Sequence, residues 1–426
     1  MPVVALLLLA ACGAASAAPE QDATSSTAHD HSLSDQYDQT PAVCLDGVGP
    51  AALDEAFGNG HLDALGDLSG FDEPTTYVLP DGRKLWLVHD AFLDLRGVDK
   101  PYFDQSYLQN LAILIDDRGG TETCVSTVFR RDGSGEPLGF EIGPEDPAHR
   151  HETSRRWYWA LGGGIDADGN LAVFWQEVIE DRSHDDVRGP HDGINRHSVG
   201  VWLSTYDPAS LERLTFEPAP DPDATPMYGA AVADDVASGW TYLFGNTLNR
   251  DLTLEGGFDN GPHSSTINTV ARVPLGRFGE APEYWNGSGW STQRSDAASI
   301  HTAGWAEWMM QPRLIDGQWT SVTKGDAWWG DELVVQTAED PWGPWTTVYR
   351  EPVYVPRLGR DPASPMGQGL LQTSYSPVIV PEWSTSTTLA VVMSQNGWDW
   401  KNVCETADRV PYYWPSVLQL DLLDGG

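Results

Sequence analysis

Basic residues are scarce. The 426-residue chain sets 25 lysines and arginines against 62 aspartates and glutamates, a formal net charge of −37. Such a field repels nucleic-acid phosphates and anionic membrane surfaces, which excludes both as partners. Cysteine is rarer still, limited to Cys12, Cys44, Cys124 and Cys404, and no C-x-x-C or H-E-x-x-H occurs. Structural zinc and zincin chemistry therefore have no support. The absence of G-x-S-x-G removes the nucleophile elbow of Ser-His-Asp hydrolases. Gly162-Gly163-Gly164 has no helical pattern behind it, so a phosphate cradle is excluded as well. No apolar run reaches the length of a membrane span, and no long stretch keeps a clean 3.6-residue period.

Aromatic residues are what the chain has in quantity, with 19 tryptophans and 14 tyrosines. A disordered acidic protein would be poor in them. Length and an apolar share of 40% leave ample material for a core. Neutral ligands, sugars above all, suit such a surface, because sugar C–H faces stack on aromatic rings.

The amino terminus reads as an export signal. Val3 to Ala11 (VVALLLLAA) has the length of a signal-peptide h-region and is too short to cross a bilayer. Leu9-Ala10-Ala11-Cys12 is similar to a bacterial lipobox, which makes Cys12 the expected lipidation site, although no Lys or Arg precedes the run. The alternative is a plain signal cut near Ala15-Ser16-Ala17-Ala18. On this reading residues 1–18 are the signal peptide, 19–43 a flexible polar tether, and 44–426 one folded domain. The protein is then extracytoplasmic, lipid-anchored or secreted, monomeric, and touches the membrane through the anchor alone. With Cys12 acylated, Cys44, Cys124 and Cys404 remain, giving one disulfide and one thiol. Cys44 and Cys404 lie near the two ends of the folded part, but the pairing stays open.

The folded part reads as strands. Apolar runs of four to seven residues alternate with Gly, Pro and Asp. One unit recurs, a strand, a turn and a strongly apolar strand, at 75–90, 159–177, 228–245, 309–325 and 375–394. Its turns fall near Asp81, Asp168, Ala237, Asp316 and Ser386, at intervals of 87, 69, 79 and 70 residues. Each interval leaves room for two more strands, such as 199–207, 268–274 and 331–338. The spacing predicts an all-β, five-bladed β-propeller of four-stranded antiparallel blades, with a β-sandwich as the rival.

The ordered elements FDEPTTYVLPDGRKLWLVHDAFLD (71–94), SYLQNLAIL (106–114), RWYWALGGGIDADGNLAVF (156–174), YGAAVADDVASGWTYLFG (228–245), EYWNGSGW (283–290) and DPWGPWT (340–346) carry a family likeness. Together they resemble a group of exported bacterial five-bladed propellers long catalogued as a domain of unknown function, some members of which are endo-D-arabinanases. The resemblance implies cleavage of cell-wall D-arabinan by two carboxylates, with no cofactor. The family carries an Asp at the positions of Asp72 and Asp90. This chain departs from it at His89-Asp90-Ala91, where the family more often shows Gly-Asp-Thr.

The residues point the same way. Asp72 lies nine positions before Asp81 and Asp90 nine after it. Folding at Asp81-Gly82, a strong hairpin turn signal, sets the two side by side. Cross-strand Cβ atoms lie roughly 4.5–5.5 Å apart, close to the carboxyl separation of about 5–5.5 Å that retaining glycosidases use. Phe71, Trp86 and Phe92 supply apolar surroundings that would raise one pKa. The spacing does not assign the roles; the working assignment is Asp90 as nucleophile and Asp72 as acid/base. An acidic chain also forms chance pairs, and carboxylates paired with Arg83 or Arg96 would be merely structural.

Glu177 ends the second hairpin as Asp90 ends the first, and is expected either to face the same cavity or to form a strand-end salt bridge. Trp157, Tyr158, Tyr228 and Tyr375 are candidate sugar-stacking residues, with blade packing as the alternative. Asn110, beside Gln109, is a candidate polar residue of the cavity. The loop 180–197, rich in His and Asp, could bind a divalent ion but reads more simply as a solvated insertion. The expected ligand is a furanoside polysaccharide. The rivals are L-arabinan or xylan as substrate, and a non-catalytic carbohydrate-binding protein.

Overall fold

The computed structural model describes residues 37–59, 68–93, 107–132, 135, 137–144, 154–181, 196–248, 266–300, 311–325, 332–352, 372–397 and 414–423. Six antiparallel sheets are described: five follow one another along the chain as blades, each meandering outward from a central strand, and a small sixth sheet joins Leu68–Phe71, Ala91–Leu93 and Tyr107–Leu108. In the first blade the order from the axis is Thr75–Val78, Lys84–Val88, Leu111–Asp116 and Glu122–Arg131. In the second it is Ser154–Ile165, Leu171–Asp181, Arg196–Tyr206 and Arg213–Pro218. Blade 3 runs from Met227–Asp235 through Trp240–Leu248 and Thr266–Pro274 to the short strands Glu283–Trp285 and Trp290–Ser291. Blade 4 comprises Arg313–Ile315, Gln318–Gly325, Glu332–Ala338 and Thr346–Pro352. Blade 5 has three described strands, Gln372–Ile379, Thr388–Gly397 and Ser416–Asp421.

The second strands are apolar on both faces because each is sandwiched between neighbouring blades. In Lys84–Val88, Trp86 and Val88 pack toward blade 5, while Leu85 and Leu87 pack toward blade 2. The core is accordingly divided into five apolar clusters, one between each successive pair of blades and one between the last and the first. That division excludes a two-sheet sandwich, which would bury a single slab. The turns follow the sequence. Gly82 and Gly169 adopt φ of +88° and +87°, a region that glycine occupies without a Cβ penalty. Asp166 Oδ1 accepts the amides of Asp168 and Asn170 at 2.9 and 2.8 Å.

Two features depart from the expectation, and the open disulfide pairing is filled. The tether does not reach residue 43, because Tyr37–Gln39 and Val43–Asp46 both pair with the outer strand of blade 1. Cys44 and Cys124 are register partners there and form the disulfide; Cys12 and Cys404 lie outside the described residues. Finally, a helix, Pro50–Asn59, covers the last strand of blade 5 where a fourth strand would lie. Its Asp54 accepts the Val417 amide at 2.9 Å, and Phe57 stacks on Trp414 at 5.4 Å between centroids. The helix thus satisfies part of a sheet edge that would otherwise be open.

Candidate active site

The innermost strands break at one common level. Register shifts fall between Ala160 and Gly163, Tyr228 and Ala231, and Tyr375 and Val378. At the same level Glu73 and Ser376 take φ of +43° and +48°, left-handed values that cost energy in residues other than glycine. Glu73, Ala160, Leu161, Ala230, Gln311 and Ser376, contributed by all five blades, line a cavity on the axis.

Asp72 and Asp90 are the chain neighbours of Glu73 and His89, which line this cavity, and do not line it themselves. The Asp72 amide donates to the Asp90 carbonyl at 3.2 Å, and the His89 amide donates to the Asp72 carbonyl at 3.0 Å. Phe71 pairs with Ala91 on one side and Thr75 with Leu87 on the other. The hairpin therefore places the two aspartates opposite one another, as the spacing predicts. Both are buried, with 8% and 7% of their surfaces exposed. Neither is bound to Arg83, which pairs with Asp81 at the turn. Arg96 lies outside the described residues.

Their environments differ. Asp72 Oδ2 accepts the Tyr375 hydroxyl from blade 5 at 2.6 Å. Its Oδ1 is buried without a hydrogen-bond partner among the described residues. Burial pushes the Asp72 carboxyl well above the usual carboxylate range, and the charges of Asp90 and Glu73 add to the rise; His89 and the Tyr375 hydroxyl oppose it. Asp90 Oδ1 accepts the indole N–H of Trp159 at 3.1 Å. The Trp159 ring lies flat on His89, with centroids 5.3 Å apart and planes 7° apart. Burial and the neighbouring charges thus suit the Asp72 carboxyl to holding a proton, which an acid catalyst requires.

Other candidates are placed elsewhere. Glu177 pairs with Arg156, accepts the Trp202 indole N–H at 2.9 Å and the Tyr158 hydroxyl at 3.3 Å, and does not line the axial cavity. Its observed contacts are therefore those of a salt bridge, made inside the strand Leu171–Asp181 and not at its end. Tyr158 is packed in the core between blades 1 and 2, and Tyr228 lies against Tyr284 between blades 2 and 3. Asn110 joins blades, donating to the Glu141 and Tyr158 carbonyls and accepting the Glu141 amide, each at 2.8 Å. Trp157 is buried edge-on to Trp159, at 5.6 Å. The aromatic surroundings include buried Phe71 and Trp86. Most of the loop 180–197 lies outside the described residues. Among the described residues the one cluster of metal-type donors is Cys44, Glu122 and Cys124, whose two sulfurs are bonded to each other.

Sequence reasoning passed over Glu73, Trp159 and Ser376, and met His89 only as a departure from the family motif. Trp159 was legible: it alternates with Trp157 along one strand and so faces the same side.

The molecule is a five-bladed β-propeller with a buried aspartate pair beside its axis. The family model described as "Domain of unknown function (DUF5005)" matches residues 55–420, and the chain belongs to that family. Among curated proteins there is no significant match. Among solved structures, a protein of Bacteroides ovatus described as a putative hydrolase is similar, with a TM-score of 0.59 at 16% identity, covering 89% of this chain and 90% of that one. A Bacillus subtilis glycoside hydrolase family 43 arabinoxylan arabinofuranohydrolase is more distant, with a TM-score of 0.43 and 13% identity over 83% of this chain and 64% of that one. A Trypanosoma rangeli sialidase gives a TM-score of 0.41 at 12% identity, over 83% and 45%.

Proposed function

We propose that the protein is an exported glycoside hydrolase that cuts a furanoside polysaccharide within the chain, cell-wall D-arabinan being the favoured substrate. The reading rests on one observation above all: Asp72, buried and shifted toward its protonated form, lies opposite Asp90 on a single hairpin. The motif resemblance set out above supplies the sugar. Asp90 attacks the anomeric carbon while Asp72 gives its proton to the departing glycosidic oxygen. Water then attacks the glycosyl-enzyme, losing a proton to Asp72, and the Asp90–carbon bond breaks; both carboxyls return to their starting states. No cofactor enters this chemistry. Acylation of Cys12 would hold the enzyme at the outer face of the membrane, facing its polymer.

The test is incubation of the purified protein with mycobacterial-type arabinogalactan, plant L-arabinan and xylan, beside Asp72→Asn and Asp90→Asn. Oligosaccharides released from D-arabinan by the wild type and by neither variant are expected. Release that survives both substitutions would move the site elsewhere. Binding without release from any glycan would make the protein a carbohydrate-binding propeller instead.

A further inference from the structure

We propose that Glu73 and His89 form a positioning pair for the two aspartates, a charged dyad that steadies Trp159 against Asp90 and supplies the countercharge governing when Asp72 holds its proton. The proposal rests on the hydrolase reading above and deepens it.

Both ring nitrogens of His89 face oxygen acceptors. Nδ1 lies 2.7 Å from the Glu73 carboxylate and Nε2 lies 2.7 Å from the Ala160 carbonyl. A carbonyl can only accept, so Nε2 carries a proton; with a carboxylate at Nδ1, the arrangement suits the doubly protonated imidazolium. Burial works against that charge, but the Glu73 carboxylate in ion-pair contact with Nδ1 outweighs it and holds the imidazole above its usual range.

Glu73 is itself held in place. Its left-handed backbone is secured by the Ser394 hydroxyl, which accepts its amide at 2.7 Å, and its Oε1 accepts the Ser376 hydroxyl at 2.7 Å. A strained residue fixed by two serines from two strands of blade 5, and paired with His89, fits a precise electrostatic task better than a packing role.

The dyad then reaches each aspartate by a separate route. The flat face of His89 backs Trp159, whose N–H is bonded to Asp90. The His89 amide is bonded to the Asp72 carbonyl, and its charge opposes the rise that burial imposes on the Asp72 carboxyl. The titratable groups around the ring are Glu73, Asp72 and Asp90 of blade 1, with Tyr375 of blade 5 behind Asp72. Blade 2 presents Trp159 and the Ala160 carbonyl, blade 4 presents Gln311, and blade 5 adds Ser376, all neutral.

The sign follows. A nearby cation favours the carboxylate form of Asp72, so removing it moves the Asp72 midpoint upward, by about one pH unit or more. An acid catalyst must be protonated to work, so the alkaline limb of the pH–rate profile moves up with it. His89→Gln keeps a hydrogen-bonding side chain without the charge. Trp159→Phe, which keeps the ring on His89, should lower kcat while leaving the limb in place.

The experiment follows the protein itself as well as its activity. Carbon-13 carboxyl NMR of aspartate-labelled full chain identifies Asp72 by the signal missing in Asp72→Asn, and its titration is compared in wild type and His89→Gln. Imidazole nitrogen-15 shifts report His89 directly in wild type and in Glu73→Gln. The expected results are a His89 imidazolium at pH 7, a lower His89 midpoint in Glu73→Gln, and a higher Asp72 midpoint in His89→Gln. A neutral His89 at pH 7, or an Asp72 midpoint unmoved by His89→Gln, overturns the proposal. If the midpoints shift as expected but no glycan is cut by the wild type, the dyad stands and the hydrolase reading falls.

Discussion

Replacing Asp72 by Asn should abolish hydrolysis and stabilise the fold together. The unfolded chain presents this carboxyl near its ordinary pKa of about 3.9. In the folded protein burial and the charges of Asp90 and Glu73 raise it well above that value. The folded state therefore binds the proton more tightly. The stability this supplies is fully present below about pH 4 and is lost as pH rises toward the folded value, at about 1.4 kcal/mol per pH unit. Asn is neutral throughout, nearly the same shape, and still accepts the Tyr375 hydroxyl that Asp72 accepts at 2.6 Å. The difference in unfolding free energy between variant and wild type should be near zero at pH 4 and widen by up to about 1.4 kcal/mol for each pH unit toward the folded value. In a domain of this size each such step is a rise in Tm of roughly 2–3 °C. Thermal unfolding of both proteins at unit intervals from pH 4 to 8 measures it, and the common response of all other groups cancels in the difference. A gap that does not change with pH, or a variant less stable than wild type at pH 7, would refute the reasoning and with it the case for Asp72 as the proton holder.

Three further outcomes are expected. Trp159→Phe removes one hydrogen bond to Asp90 at 3.1 Å, so kcat should fall about 10–100-fold while stability moves by no more than about 1 kcal/mol, checked by kinetics beside denaturant unfolding. Glu177→Gln leaves Arg156 without its partner charge at a site 6% exposed; turnover should stay near wild type while urea unfolding shows a loss of about 1–3 kcal/mol. Reducing Cys44–Cys124, which closes a separation of 80 residues, should cost about 4 kcal/mol in the chain-entropy account, read as a fall in Tm with reductant that Cys44→Ser reproduces.

The blades were legible because their turns are chemically explicit. Asp81-Gly82 and Asp168-Gly169 can hardly do anything but reverse a chain, and the apolar strand after each must be covered on both faces. The aspartate pair was legible for the same reason, since two nine-residue arms about one turn leave little choice of neighbour. For Glu177 the same logic left the cavity and a salt bridge open, and the salt bridge is what forms, because blade 2 sets Arg156 within reach and a carboxylate beside a guanidinium is drawn into an ion pair. The helix Pro50–Asn59 escaped notice because its first and last turns carry none of the charges that mark helix ends, and its partner Val417 lies 363 residues away from Asp54. The pairing of Cys44 with Cys124 likewise depends on a strand register that no spacing reveals.

The closure of the ring and the assembly of the site are one event. Tyr375 reaches Asp72 across 303 residues, Ser376 reaches Glu73 across the same separation, and Ser394 meets Glu73 across 321. These hydrogen bonds join the last blade to the first, and they fall on the residue proposed to hold the proton and on the residue proposed to pair with a charged His89. A chain whose fifth blade is undocked would leave Asp72 in water, where its carboxyl ionises freely and can no longer serve as an acid. Blade 5 has three described strands and packs the last of them against a helix from the other end of the domain, so its docking relies on that helix as well as on the apolar cluster it shares with blade 1. On the proposed reading, the acid is therefore assembled by contacts that span 303 and 321 residues, and an incompletely closed propeller would be an inactive one.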